Sequence, residues 1–128
     1  MSQDQESGVT GDAFGTKTAP LIAERIGAVM LSSTSNEATY HGETVVIKCA
    51  RPRTTSVGVT YLMLERLHKV IGAFQQDDGT FAVIALPASI FKQKMRETRS
   101  QGPSAGRVGI VSKRVFEQDG QPLCDVRL

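Results

Sequence analysis

Residues 42–53 read GETVVIKCARPR, and the three consecutive apolar side chains Val45, Val46 and Ile47 constrain the fold more than any other feature of the chain. Successive side chains on a strand point to opposite faces, so an unbroken apolar run predicts a strand covered on both sides. Such a sheet needs a further layer on each face. A chain of 128 residues, 40% of them hydrophobic, can supply those layers within one domain. The predicted strand spans 43–50, and Pro52 stops it. Aromatic residues make up only 5% of the chain and tryptophan is absent. The core is therefore expected to be aliphatic, with few stacking surfaces for unpaired bases.

The rest of the chain arranges itself around that strand. Residues 1–16 are polar and acidic, with no periodicity, and read as a flexible acidic tail ahead of a single α/β domain at 17–128. Ile22, Ile26, Val29 and Met30 recur at helical spacing and predict a helix over 17–30, with Pro20 in its first turn. Two modest strands are expected at 31–35 and 38–40, and His41-Gly42 as a turn into the central strand. Residues 54–58 read as a polar connection to a second helix over 60–74. That helix would carry Leu64, Leu67, Ile71 and Phe74 on one stripe and Thr60 as its N-cap. Asp77-Asp78-Gly79 signals a turn, after which TFAVIAL (80–86) reads as a buried strand and 88–98 as a third helix. A loop at 100–106, a strand at 107–111 and a last strand at 123–127 complete the chain.

Charge is unevenly distributed although the net value is only +2. Between positions 92 and 114, seven basic residues (Lys92, Lys94, Arg96, Arg99, Arg107, Lys113 and Arg114) face the single acid Glu97. Such a segment is either a solvated basic face or a phosphate-binding one. TRSQGPSAGR (98–107) has small residues that let backbone N–H groups approach an anion, but it lacks the Gly-Lys-Ser/Thr of a nucleotide-hydrolysing loop. A plain loop explains the same composition.

Cys49 and Cys124 have no metal-like spacing and fit a reduced, cytoplasmic setting. No signal peptide or membrane span is expected, because the first fifteen residues lack a basic and an apolar region and no apolar run is long enough. A lysine in a doubly covered strand is costly to desolvate, so Lys48 is expected either to meet a partner or to extend outward from near the strand end. Arg51 and Arg53 follow it. Together they would place three cations where sheets of this class tend to bind ligands.

The order helix, strands, helix, strand, with E-T-V-V-I-K in the third strand, resembles the core of the restriction-endonuclease-like, or PD-(D/E)XK, nuclease superfamily over 17–86. The resemblance implies a small mixed central sheet flanked by helices, an α/β (α+β) fold. It also implies a divalent metal, normally magnesium, held by an acid of the second strand and an acid-x-lysine of the third, often joined by an acid of the first helix. Residue by residue, the lysine is Lys48, the second-strand acid Glu37 and the helix acid Glu24, which makes Glu37 and Glu24 the implied metal ligands and all three the implied catalytic set. The position two before the lysine is Val46, where the motif has a carboxylate.

The expected function is a DNA-binding domain of nuclease-like fold, with magnesium-dependent phosphodiester hydrolysis at an atypical metal site or with that site lost. DNA would lie on Arg51, Arg53, Lys92, Lys94, Arg96, Arg99, Arg107, Lys113 and Arg114. The alternative is a small protein-interaction or regulatory subunit without catalysis, its basic surface meeting an acidic protein partner.

Overall fold

The computed structural model describes residues 3–31, 35–97 and 108–128, with side chains described for 14–31, 35–96 and 108–128. In chain order the elements are α1 (Gln3–Ile26), β1 (Val29–Met30), β2 (Glu37–Tyr40), β3 (Glu43–Ala50), β4 (Ser56–Thr60), α2 (Tyr61–Leu64), β5 (Lys69–Gln75), β6 (Phe81–Pro87), α3 (Ala88–Lys94), β7 (Arg96–Glu97), β8 (Val108–Ser112), α4 (Lys113–Asp119) and β9 (Gln121–Val126). The main sheet has the strand order β1-β2-β3-β5-β6-β9, and β4, β8 and β7 form a second, three-stranded sheet. Only the β3–β5 pairing of the main sheet is parallel. The architecture is mixed α+β, with a mostly antiparallel central sheet flanked by helices.

The apolar run sits as its pattern requires, with Val45, Val46 and Ile47 fully buried in β3. His41 (φ 52°) and Gly42 (φ 80°) both adopt left-handed backbone, the combination that closes a two-residue hairpin between Tyr40 and Glu43. On one face of the sheet Val45, Ile47, Ile71, Ala73, Val83 and Ala85 pack with Ala19, Ile22 and Ala23 of α1. On the other, Val46, Val70, Phe74, Ile84 and Leu86 pack with Val57, Val59 and Val111 of the second sheet and with Leu64, Phe91 and Phe116 of the short helices. At the middle of this second face Gly72 pairs with Ile84 and leaves room for aromatic rings. Phe74 and Phe116 meet there edge to face with centroids 5.2 Å apart.

At the sheet margins, β1 contributes two residues, and β9 carries Pro122 beside a register shift between Val83 and Ile84.

Several expected elements differ. The second helix, expected over 60–74, is one turn, Tyr61–Leu64, and residues 69–75 are strand. Val70 through Phe74 are all buried, so the segment lies between two layers, where any apolar spacing looks periodic. The expected polar connection contains β4, in which Val57 and Val59 alternate inward. α4 has no counterpart in the expected order. α1 begins at Gln3, so the helix takes in most of the expected tail and Pro20 lies inside it, not in its first turn. Pro20 leaves the Thr16 carbonyl without its helical donor, and both residues are on the exposed side. Residues 32–34 of the first expected strand and the expected loop at 100–106 lie outside the described residues.

Candidate functional site

The antiparallel register sets Glu37 directly opposite Val46. Cross-strand partners share a face, and so do residues two apart on one strand, so Glu37, Val46 and Lys48 all point to the same side of the sheet. Lys48 is half-buried and pairs with Gly72, whose missing side chain leaves room that the Phe74 and Phe116 rings fill. The second-strand acid, the missing-acid position and the lysine therefore form one group.

Arg66 completes it, brought in by the turn between α2 and β5. Thr60 caps α2 by accepting a hydrogen bond from Met63 N at 3.2 Å, which starts the turn of helix at this point. After α2, His68 N donates to Thr44 O (2.8 Å) and Thr44 N donates to His68 Nδ1 (3.1 Å), which ties the turn to the start of β3. Arg66 then reaches across to β2. Its Nε donates to Glu37 Oε2 and its Nη2 to Glu37 Oε1, both at 2.9 Å, while Ser35 Oγ donates to Oε1 at 3.0 Å.

The paired, planar fork is the strongest geometry available to a guanidinium and a carboxylate. Hydrogen bonding from Arg66 holds the Glu37 carboxyl below its ordinary value; partial burial works against this and Ser35 adds to it. The carboxylate end is 13% exposed and the guanidinium end 54%, so the outer edge of Arg66 remains in water. Arg66 Nη1 makes only a 3.5 Å contact with Leu62 O.

Glu24 is placed elsewhere. It is exposed on α1, whose buried stripe of Ala19, Ile22 and Ala23 covers the face opposite Glu37 and Lys48. Among the described residues, no three His, Cys, Asp or Glu side chains form a group able to hold a metal ion.

The cations expected beyond β3 divide in the same way. Arg51 follows Cys49 in strand alternation and lies over the Phe14 ring of α1, 4.6 Å from its centroid, on the side away from Lys48. Arg53 is exposed in the turn that follows. Thr54 N donates to Arg51 O (2.9 Å) and Lys113 N donates to Thr55 O (2.8 Å), which joins this turn to the start of α4. Lys113 lies 5.6 Å from the centroid of the Phe74 ring, and Phe74 is the register partner of Ala50. Arg51 and Arg53 thus follow the C-terminal end of β3, where the turn meets the start of α4 that carries Lys113 and Arg114, with Arg51 on the α1 side of the sheet and Lys113 on the other.

Lys92 and Lys94 are exposed on α3, and Arg96 is exposed on β7. α3 leaves from the other end of β5, where Ala88 N donates to His68 O at 2.9 Å. Arg99 and Arg107 lie outside the described residues.

Sequence reasoning missed Arg66 and Ser35 as members of the group. Nothing local marks them, because their roles come from strand register and a tertiary turn.

No protein-family model and no curated protein matches this sequence. Among solved structures, the chain is similar to Archaeoglobus fulgidus Hjc, a Holliday junction resolvase from an archaeal hyperthermophile determined at 1.6 Å resolution. The TM-score is 0.50 over 85% of this chain and 91% of that one, with 10% sequence identity. The shared fold is mixed α+β, with a mostly antiparallel central sheet flanked by helices. In this chain the fold brings together Glu37, Lys48 and Arg66, with Val46 fully buried among them. No helix among the described residues is long and apolar enough to cross a membrane.

Proposed function

We propose that the chain binds DNA on a nuclease-like scaffold, through the cations at the C-terminal end of β3 and β5, and does not cut it. The observation that carries this reading is that two separate basic segments, Arg51 and Arg53 after β3 and Lys113 and Arg114 at the start of α4, are joined by the Lys113 N to Thr55 O hydrogen bond at one end of the parallel strand pair. The nuclease-like fold supports the choice of nucleic acid as the polyanion. Lys92, Lys94 and Arg96, at the other end of β5, would form a separate basic surface on α3 and β7, and Arg99 and Arg107 follow them in sequence. The two free cysteines fit the reducing cytoplasm in which such a protein would meet DNA.

The residues present do not fit magnesium. A hard divalent cation takes several oxygen ligands, and here one carboxylate is already engaged at both oxygens by Arg66 while Val46 offers none. Glu24 lies on the opposite layer, so a Glu24–Glu37 pair gains no support from the placement of α1. Under this reading Lys48 does not act in hydrolysis.

The test is fluorescence anisotropy with a labelled duplex and, because the structural neighbour is a Holliday junction resolvase, a labelled four-way junction. Affinity should fall linearly on a log-log plot against salt, and each phosphate contact removed should flatten the slope by about 0.9. Replacing Arg51, Arg53, Lys113 and Arg114 together by alanine should flatten that slope by up to about 3.6. Binding unchanged in this variant, or indifferent to salt, refutes the interface. Supercoiled plasmid should stay intact with Mg2+ or Mn2+, and nicking that disappears in Lys48→Ala would establish catalysis instead.

A further inference from the structure

We propose that Arg66 is a resident cation standing where a divalent metal would bridge Glu37 and residue 46, so that this site takes up metal only when Arg66 is removed and a second carboxylate is supplied. The register puts the Cβ atoms of residues 37 and 46 about 5 Å apart, close enough for carboxylates at both positions to share one ion. In this chain the second carboxylate is a buried valine, and Glu37 is left as a single negative charge at the surface of an apolar core. A single carboxylate needs a single positive charge, and Arg66 supplies it with both nitrogens of its fork.

Charge counting leads to the same exclusion. Glu37 contributes −1, and Arg66 and Lys48 contribute +1 each, so the group is positive before any metal arrives. With an acid at 46 and no Arg66, the same group would total −1 and would attract a divalent ion. Ligand counting agrees, because Ser35 and Arg66 already hydrogen-bond the oxygens a metal would need. Replacing the metal with an arginine would leave the fold intact without any ion in this cleft.

The proposal rests on the fold and on the Glu37 geometry, not on DNA binding, and its test contains no nucleic acid. Free Mn2+ is followed by electron paramagnetic resonance during titration into the full chain. The parent protein should bind no Mn2+ that depends on Glu37. Val46→Glu combined with Arg66→Ala should bind one Mn2+ at least about tenfold more tightly than the parent, as added ligand charge raises affinity, and Glu37→Gln in that background should abolish the gain. Because Val46 is in the core, Ser35→Asp with Arg66→Ala provides a second route: Ser35 already touches Glu37, and residue 35 is only half-buried. Circular dichroism identifies which variants are folded. A Glu37-dependent Mn2+ site in the parent protein overturns the proposal, and so does the absence of any gain in the folded double variants.

Discussion

Adding one methyl group at Gly72 should destabilise the domain and disturb Lys113 at the start of α4. A Cβ built there falls 2.5 Å from Phe74 Cε2, 2.7 Å from Phe74 Cζ and 3.1 Å from Phe116 Cε2. Ring atoms in a packed core cannot give way singly, since Phe116 is itself edge-on to Phe91 at 6.4 Å. Overpacking of this kind costs about 1–3 kcal/mol. For 128 residues, an unfolding entropy of about 2.1 cal/mol/K per residue makes each kcal/mol worth about 4 °C, so Gly72→Ala should lower Tm by roughly 4–11 °C. Thermal and urea unfolding by circular dichroism measure this.

Phe74→Leu removes the two closest atoms, so the Gly72→Ala/Phe74→Leu pair should be less destabilised than the sum of the single changes. The Phe74 ring also lies under Lys113, so displacing it should weaken DNA binding in the folded Gly72→Ala protein. A Gly72→Ala melting temperature equal to or above that of the parent would refute the close approach of the rings to the sheet. Gly15→Ala provides a contrast of opposite sign. Its Cβ would meet only Asn36 Nδ2, at an ordinary 3.6 Å, and alanine in a helix interior is favoured by about 0.5–1 kcal/mol.

Further outcomes follow from the polar groups. Because the folded protein holds Glu37 below its ordinary value, the stability it contributes is present above its unfolded value of 4.5 and is lost as pH falls through the lower folded value. Glu37→Gln should therefore flatten the acid limb of a stability-against-pH curve, and an unchanged limb would contradict the pairing. Arg66→Lys replaces a planar fork with a point charge and should raise the Glu37 titration point toward its ordinary value, as followed by carboxyl NMR. Burial pushes the Cys49 thiol up to about 12, whereas Cys124 is exposed and raised less, so iodoacetamide at pH 8 should label one thiol in the folded chain and two after denaturation. Rapid labelling of both in the native protein would show that β3 is more open than its packing implies.

The legible parts of the fold were those with a local cause. β3 occupies residues 43–50 as expected because the Val45–Ile47 run is too short for a buried helix and is bounded by Gly42 and Pro52. The His41-Gly42 turn, the Thr60 cap and the strand following Asp78-Gly79 were likewise marked by residues suited to those backbones. Residues 60–74 were not legible. Leu64 and Leu67 belong to a turn of helix and its exit, while Ile71 and Phe74 belong to opposite faces of β5, and together the four imitate a helical stripe. α4 was hidden because Lys113–Asp119 buries only Phe116.

In the site, the common face of Val46 and Lys48 was readable from strand alternation. The same rule places Arg51 with Cys49, on the side away from Lys48. The Glu37–Val46 register and the arrival of Arg66 arise from tertiary pairing and leave no local mark.

The margins of the main sheet also limit how the chain can associate with copies of itself. A strand edge with free N–H and C=O groups invites another chain to add on, but β1 offers only two residues, and β9 has a proline without an N–H next to a register shift. Backbone ladders across either margin would therefore be short or broken. Growth of the main sheet by strand addition at these two margins is thus disfavoured.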